Sequence, residues 1–220
     1  MILSNIEIQR AIDEGRLIIN PDPQPRSSEF ADCPYNSTAV DLHLGNALAI
    51  PQSGPYTFDL RGTGIAKFLS QTSKQVTISE EGYALKKGQF TLGGTVERIT
   101  LPILPDGKSL AARIEGKSSL ARCGLLVHFT APTVHAGFEG TLTLEMINLG
   151  VVDISLFPGM PIAQLILEAV VGDPQANPSQ FQGQTTPPEL RKLYFLPLLR
   201  ALRGRPTFLS CAPIAQMISL

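Results

Sequence analysis

The chain has 220 residues, 43% of them hydrophobic, and a formal net charge of −1, enough apolar material for one sizeable core. That charge balance excludes general binding to long nucleic acids, which needs a strong basic field, but leaves room for a local cation cluster holding a small anion. Three widely spaced cysteines, Cys33, Cys123 and Cys211, fit neither a disulfide framework nor a Cys-x-x-Cys metal site and point to the reducing cytoplasm.

Met1-Ile2-Leu3 runs straight into polar sequence, so no signal peptide is expected, and no apolar run reaches the ~18 residues of a membrane-spanning helix. Ser4-Asn5-Ile6-Glu7 is a capping box, Ile8, Ala11 and Ile12 form an apolar stripe behind it, and Gly15 is a natural stop. A strand over residues 17–19 ends at Asn20-Pro21 and a Pro/Ser-rich loop covers 21–37. Val40-Asp41-Leu42-His43-Leu44-Gly45 alternates with the period of a half-buried strand. Residues 51–75 read as an irregular connection. Short strands follow at 76–78, 83–85, 89–92, 96–101, 111–114, 125–129, 141–147, 152–156 and 162–167, with a turn at Phe157-Pro158-Gly159-Met160. Many short strands at close spacing predict a mainly β fold, a barrel or jelly-roll, with a helix at the N-terminus.

After Gly172 the composition turns to Asp, Pro, Asn and Gln. The expected organisation is a β domain over 1–172 and a tail over 173–220, flexible at first and then helical. The helix is expected over 188–203, where Leu190, Leu193, Tyr194, Leu198 and Leu202 are apolar and Pro197 introduces a kink. Its basic residues suit an anionic surface, but docking on this protein or a second copy is the simpler reading.

In the alternating run 141–147, Leu142, Leu144 and Met146 share one face and Thr141, Thr143 and Glu145 the other. A carboxylate beside apolar neighbours suits proton transfer, but on local grounds alone an exposed strand face is the better reading of Glu145. Gly116-Lys117-Ser118-Ser119 reads as a turn with two hydroxyls, and with Arg122 it has the cations and donors that cradle phosphate oxygens. His128 sits at the end of an apolar run, where a ring bonded to backbone is the commoner role and support of a catalytic group the rarer one. No zinc-ligand spacing, no His-x-Glu with Pro-Cys-x-x-Cys, and no Gly-x-Ser-x-Gly elbow occurs.

Taken together and in order, several of these segments resemble the dCTP deaminase branch of the dUTPase-like superfamily. They are residues 40–45, Phe90-Thr91-Leu92-Gly93 with Thr95-Val96-Glu97, and Glu115-Gly116-Lys117-Ser118-Ser119-Leu120-Ala121-Arg122. Further along come Val127-His128-Phe129-Thr130-Ala131, residues 137–145, and Pro158-Gly159-Met160 with Ala163-Gln164-Leu165. The resemblance runs collinearly from about residue 4 to 184 and implies a distorted jelly-roll assembling as a homotrimer or hexamer, with sites between subunits. It implies hydrolytic deamination of dCTP to dUTP and ammonia without zinc, Mg²⁺ accompanying the triphosphate. In it Glu145 is the proton shuttle, and Ser118 and Arg122 fix water, base or phosphates. Lys117, Ser119, Thr130, Ala131, His135, Gln164 and Gln184 complete the substrate side, the Thr130-Ala131 backbone reading the pyrimidine edge.

This chain departs from the family pattern at His135, in the tail motif and at Lys117. Residues 185–220 also extend past where the family normally ends, a stretch on which the resemblance is silent. His135 replaces an acidic residue associated with the sugar, and Gln180-Phe181-Gln182-Gly183-Gln184 replaces Lys-Tyr-x-x-Gln, keeping Gln184 but losing a cation and a phenol. Lys117 stands where an arginine is usual, which keeps the charge and loses the planar fork. A bifunctional deaminase that also releases pyrophosphate, or a plain dUTPase, ranks second, because the acidic residue has become His135 and the plain form's glycine-rich C-terminal motif is not seen. A catalytically lapsed nucleotide-binding protein is the reading from another class.

Overall fold

The computed structural model of the chain describes residues 1–59, 64–177 and 182–185; the helix expected over 188–203 lies outside them, as do Gln180, Phe181 and Cys211. Helix α1 (Asn5–Asp13) starts as its sequence demands, with the Ser4 hydroxyl accepting from the Glu7 N–H and Ile8 and Ala11 buried beneath it. Then come β1 (Ile18–Asn20), β2 (Tyr35–Asn36), β3 (Ala39–Pro51), α2 (Ile65–Thr72), β4 (Ser73–Thr77), β5 (Tyr83–Leu85) and β6 (Phe90–Thr100). They are followed by β7 (Leu110–Gly116), α3 (Ser118–Arg122), β8 (Leu125–Val127), β9 (Thr133–Val134), β10 (Glu139–Asn148), β11 (Ile154–Leu156) and β12 (Pro161–Ala169).

Ten strands form one sheet along the path β8-β10-β6-β3-β12-β7-β9, with β1 joined to β6 and both β2 and β4 to β3; β5 pairs with β11 apart from it. β3 is the joint. Residues 40–43 pair with β12, whereas residues 44–49 pair with β6 after a register slip between Leu44 and Leu48. A long strand that changes partners halfway turns the sheet around its own apolar face, which is the curled, mainly β jelly-roll geometry that the strand spacing predicts. Leu42, Leu44 and Leu48 of β3 meet Leu144 of β10 and Leu165 of β12 in the core, all fully shielded from solvent, each such side chain contributing about 1.5–3 kcal/mol by transfer.

Four local expectations change. Residues 51–75 are not wholly irregular: α2 and the start of β4 lie there, because Tyr56 and Phe58 pack on Phe68 of the helix at ring separations of 6.3 and 4.7 Å. The strands expected at 89–92 and 96–101 are one, β6, running through Gly93 and Gly94. Gly93 is required by close packing rather than by a turn, since a Cβ there would lie 2.6 Å from Met146 Cε. The turn expected at 116–119 closes into the five-residue α3. The strand expected to reach Phe129 ends at Val127, because His128 adopts φ of 52° and the chain leaves the sheet there.

Candidate active site

Strand β10 delivers Glu145 to the site. Its alternation is the one expected: Leu142, Leu144 and Met146 are buried, while Thr141, Thr143 and Glu145 point to the other face. β8 lies antiparallel beside it with Val127 opposite Met146, so the next residue of each chain direction, His128 and Glu145, meet across the ladder. The His128 N–H donates to the Glu145 carbonyl at 2.7 Å, and the left-handed turn at His128 swings its ring back over the strand.

The ring is then held from two sides. Nε2–H donates to the Ala131 carbonyl at 2.8 Å, and Nδ1 stands 2.7 Å from Glu145 Oε2, an ion-pair contact off the line of a good hydrogen bond. The ring is 9% exposed and the Glu145 side chain 37%. Burial pushes His128 toward the neutral form, but the Glu145 carboxylate together with the Ala131 and Thr143 backbone more than offsets it, leaving the imidazole pKa above the ordinary histidine value. The carboxylate therefore has one oxygen 2.7 Å from the imidazole, and both residues line a cavity of about 480 Å³.

That cavity has one apolar wall, to which Ile65 and Leu69 of α2 contribute with Ile114, Val134 and Phe138, and a polar end formed by Glu145, His128, Thr143, His135 and Gln184. A half-open apolar cleft with few convergent polar groups suits a flat heterocycle with a polar edge. The chain after Gly172 returns to close the polar end. Gly183 N–H donates to the Glu139 carbonyl at 2.7 Å, Gln182 Nε2 to the Gly137 carbonyl at 2.9 Å, and Gln184 Nε2 to the Thr141 carbonyl at 3.0 Å and Thr143 Oγ1 at 2.9 Å. Gly140 makes this docking possible, since a Cβ there would come within 3.2 Å of the Gln184 carbonyl oxygen and 3.3 Å of its nitrogen.

Of the residues singled out from sequence, Glu145, Ala131, His135 and Gln184 gather around this cavity. Ser118, Ser119 and Arg122 stand exposed on α3, outside its lining, and Thr130 is exposed beside Ala131. Lys117 is tied to Asp41 at 2.6 Å, and Gln164 lies on β12 opposite Asp41 on one side and Glu115 on the other. Sequence reasoning gave His128 support of a catalytic group only as the rarer role, without naming Glu145 as its partner, and it missed α2, which contributes to the lining. For His128 a signal exists: aligning the alternations of 125–127 and 144–148 antiparallel puts it opposite Glu145. Among the described residues no group of three or more His, Cys, Asp or Glu is arranged to hold a metal ion.

A family model described as dCTP deaminase-like matches residues 2–170. The chain belongs to the dCTP deaminase-like family. A protein of Methanosphaera stadtmanae named dCTP deaminase, dUMP-forming, is 31% identical over 196 residues, covering 84% of this chain and 91% of its own length. One of the same name from Mycobacterium sp. (strain KMS) is 37% identical over 195 residues, covering 85% and 93%. The solved 2′-deoxycytidine 5′-triphosphate deaminase of Agrobacterium tumefaciens has the same fold, with a TM-score of 0.56 at 19% identity over 77% of this chain. The chain spans about half of that protein, 48% of its length. The deaminase-like family thus embraces the whole β domain, from α1 through β12, and with it Glu145 and the motif on α3.

Proposed function

We propose that this protein hydrolytically deaminates dCTP at the cavity beside Glu145. The observation that carries this is the Glu145–His128 pair at the polar end of an apolar cleft, in a chain whose relatives are named dCTP deaminase. With the pyrimidine ring in the cleft, Glu145 takes a proton from water as the hydroxide adds to C4. It passes that proton to ring N3; the proton of the hydroxyl now on C4 goes to the exocyclic nitrogen, and as C4=O forms the C4–N bond breaks and ammonia departs. General acid–base help of this kind contributes typically ~10²–10⁴-fold, and holding water and ring in place supplies more. His128, 2.7 Å from Glu145 Oε2, holds the carboxylate in place. The Thr130-Ala131 backbone reads the base, and His135 faces the sugar side.

The triphosphate, with its Mg²⁺, is assigned to Ser118, Ser119 and Arg122. Their exposure on α3 outside the chain's own cavity supports a trimer, or paired trimers, in which α3 of one copy completes the cleft of the next. Incubating the pure protein with dCTP and Mg²⁺ and following ammonia release tests the reading: turnover by wild type and none by Glu145→Gln supports it, and turnover by that variant at the wild-type rate removes it. A second reading concerns the product. The relatives are named dUMP-forming, which favours further loss of pyrophosphate, whereas the histidine at 135 favours release of dUTP. Chromatography of the same reaction separates the two.

A further inference from the structure

A polar cluster at the junction of β2, β3 and α3 is left unused by the chemistry above. Asp41 sits at its centre. One carboxylate oxygen accepts from Asn36 Nδ2 at 2.9 Å and the other from the Lys117 ammonium at 2.6 Å, with the Asp41 and Lys117 side chains only 13% and 23% exposed. Two residues further along β3, the His43 N–H donates to Glu97 Oε2 at 3.0 Å and its ring Nδ1 lies 2.6 Å from Oε1 of the same buried carboxylate. β3 is therefore pinned on the side of β2 by Asn36 and on the side of β6 by Glu97, which leaves Asp41 a fixed anchor.

Lys117 is the residue from which α3 springs. Its carbonyl accepts from the Leu120 and Ala121 N–H groups at 3.0 Å, while its side chain makes no cap. The ammonium is already committed: moving it to a phosphate would leave the sheltered Asp41 carboxylate without its partner, a costly exchange. Arg122, by contrast, is exposed beside Ser118 and Ser119 and enters no ion pair with the described residues.

We infer that Asp41 is a positioning residue which, by holding Lys117, sets the orientation of α3 and so of the Ser118 and Arg122 side chains that meet the triphosphate. Lys117 then serves as a tether rather than as a phosphate ligand. The inference rests on the proposed deaminase reading, in which α3 faces the nucleotide bound to a neighbouring copy.

Steady-state ammonia release from dCTP by the full chain tests it in Asp41→Asn, Lys117→Met, the two combined, and Lys117→Arg. Each single loss should raise KM about tenfold with kcat held within about twofold, the pattern of lost ground-state binding. The double variant should be no worse than either single one, because both remove the same contact, and Lys117→Arg should stay near wild type. An unchanged KM in Asp41→Asn overturns the inference, as does a rise confined to Lys117→Met or additive losses in the double variant. If Asp41→Asn fails to fold, Asp41→Glu takes its place: its longer arm displaces the ammonium, so a raised KM with kcat retained supports the tether and a wild-type KM overturns it. Wild-type protein that releases no ammonia would remove the deaminase reading, and calorimetry with inorganic tripolyphosphate then decides. About tenfold weaker binding by Asp41→Asn supports positioning, while equal affinity, or no binding by wild type, overturns it.

Discussion

Glu145 owes its character to His128. A carboxylate that is 37% exposed at its side chain would exchange freely with water on an ordinary strand; here one oxygen lies 2.7 Å from a largely buried imidazole and the residue lines the cleft. Glu145→Gln should lower kcat for ammonia release by ~10²–10⁴-fold, the usual range for a lost acid–base group, with KM much less affected. His128 also predicts a pH dependence of stability. Its pKa is raised in the folded state, so its contribution is complete below the unfolded value of about 6.5 and fades as pH rises through the folded value. The melting temperature should therefore fall on the alkaline side, and His128→Gln should flatten part of that fall in scans from acid to alkaline pH. His43, raised chiefly by its bond to Glu97, acts in the same sense, so the double variant should flatten it further. At this scale the sequence already marks Glu145 by alternation and by the collinear motifs. It does not mark the partner, because the 125–129 run reads as a strand to its end and the positive φ that turns the His128 ring is set by the loop to Ala131.

Besides the core strands, two further elements shape the cleft. Residues 182–185 lie along β10 through five hydrogen bonds from Gly183, Gln184 and Thr141, an arrangement that needs a bare Gly140. Gly140→Val should displace this segment, raise KM for dCTP by about tenfold if Gln184 and its neighbours contribute one neutral hydrogen bond's worth of binding, and leave kcat nearly unchanged. Helix α2 walls the other side with Ile65 and Leu69, and its own support is the aromatic cluster around Phe68. Phe68→Ala should loosen it, speeding amide hydrogen exchange over 65–72 while β3 and β10 keep their protection. Alternation and turn chemistry make β5, β7, β10 and β12 legible within a few residues, since a half-buried strand writes its period into the sequence. α2 is not legible in the same way. Eight residues in a stretch rich in Gly, Thr and Ser offer little helical propensity, and contact with Tyr56 and Phe58 is what stabilises them.

On the proposed deaminase reading, the whole molecule presents a divided site. Glu145, His128, Ala131 and Gln184 converge on one cavity, and Ser118, Ser119 and Arg122 face solvent elsewhere. If neighbouring copies complete each other, mixing Glu145→Gln with Arg122→Ala, each inactive alone, should restore part of the ammonia release after subunit exchange, because some sites then draw both intact halves. Sedimentation at micromolar concentration should show a trimer or larger. Recovery of no activity from an exchanged mixture would place both halves within one chain.

The amino-acid order alone determined the mainly β class, the capped first helix, the faces of β10 and the family likeness, all of which depend on neighbours a few residues apart or on motifs kept in sequence. Which side chains meet was decided by the folded sheet. His43 reaches Glu97 across 54 positions and Asp41 reaches Lys117 across 76, distances over which local periodicity carries no information. β3 creates those meetings by leaving β12 for β6 midway, and that change of partners is a property of strand registers competing in three dimensions, written in no single stretch of the chain.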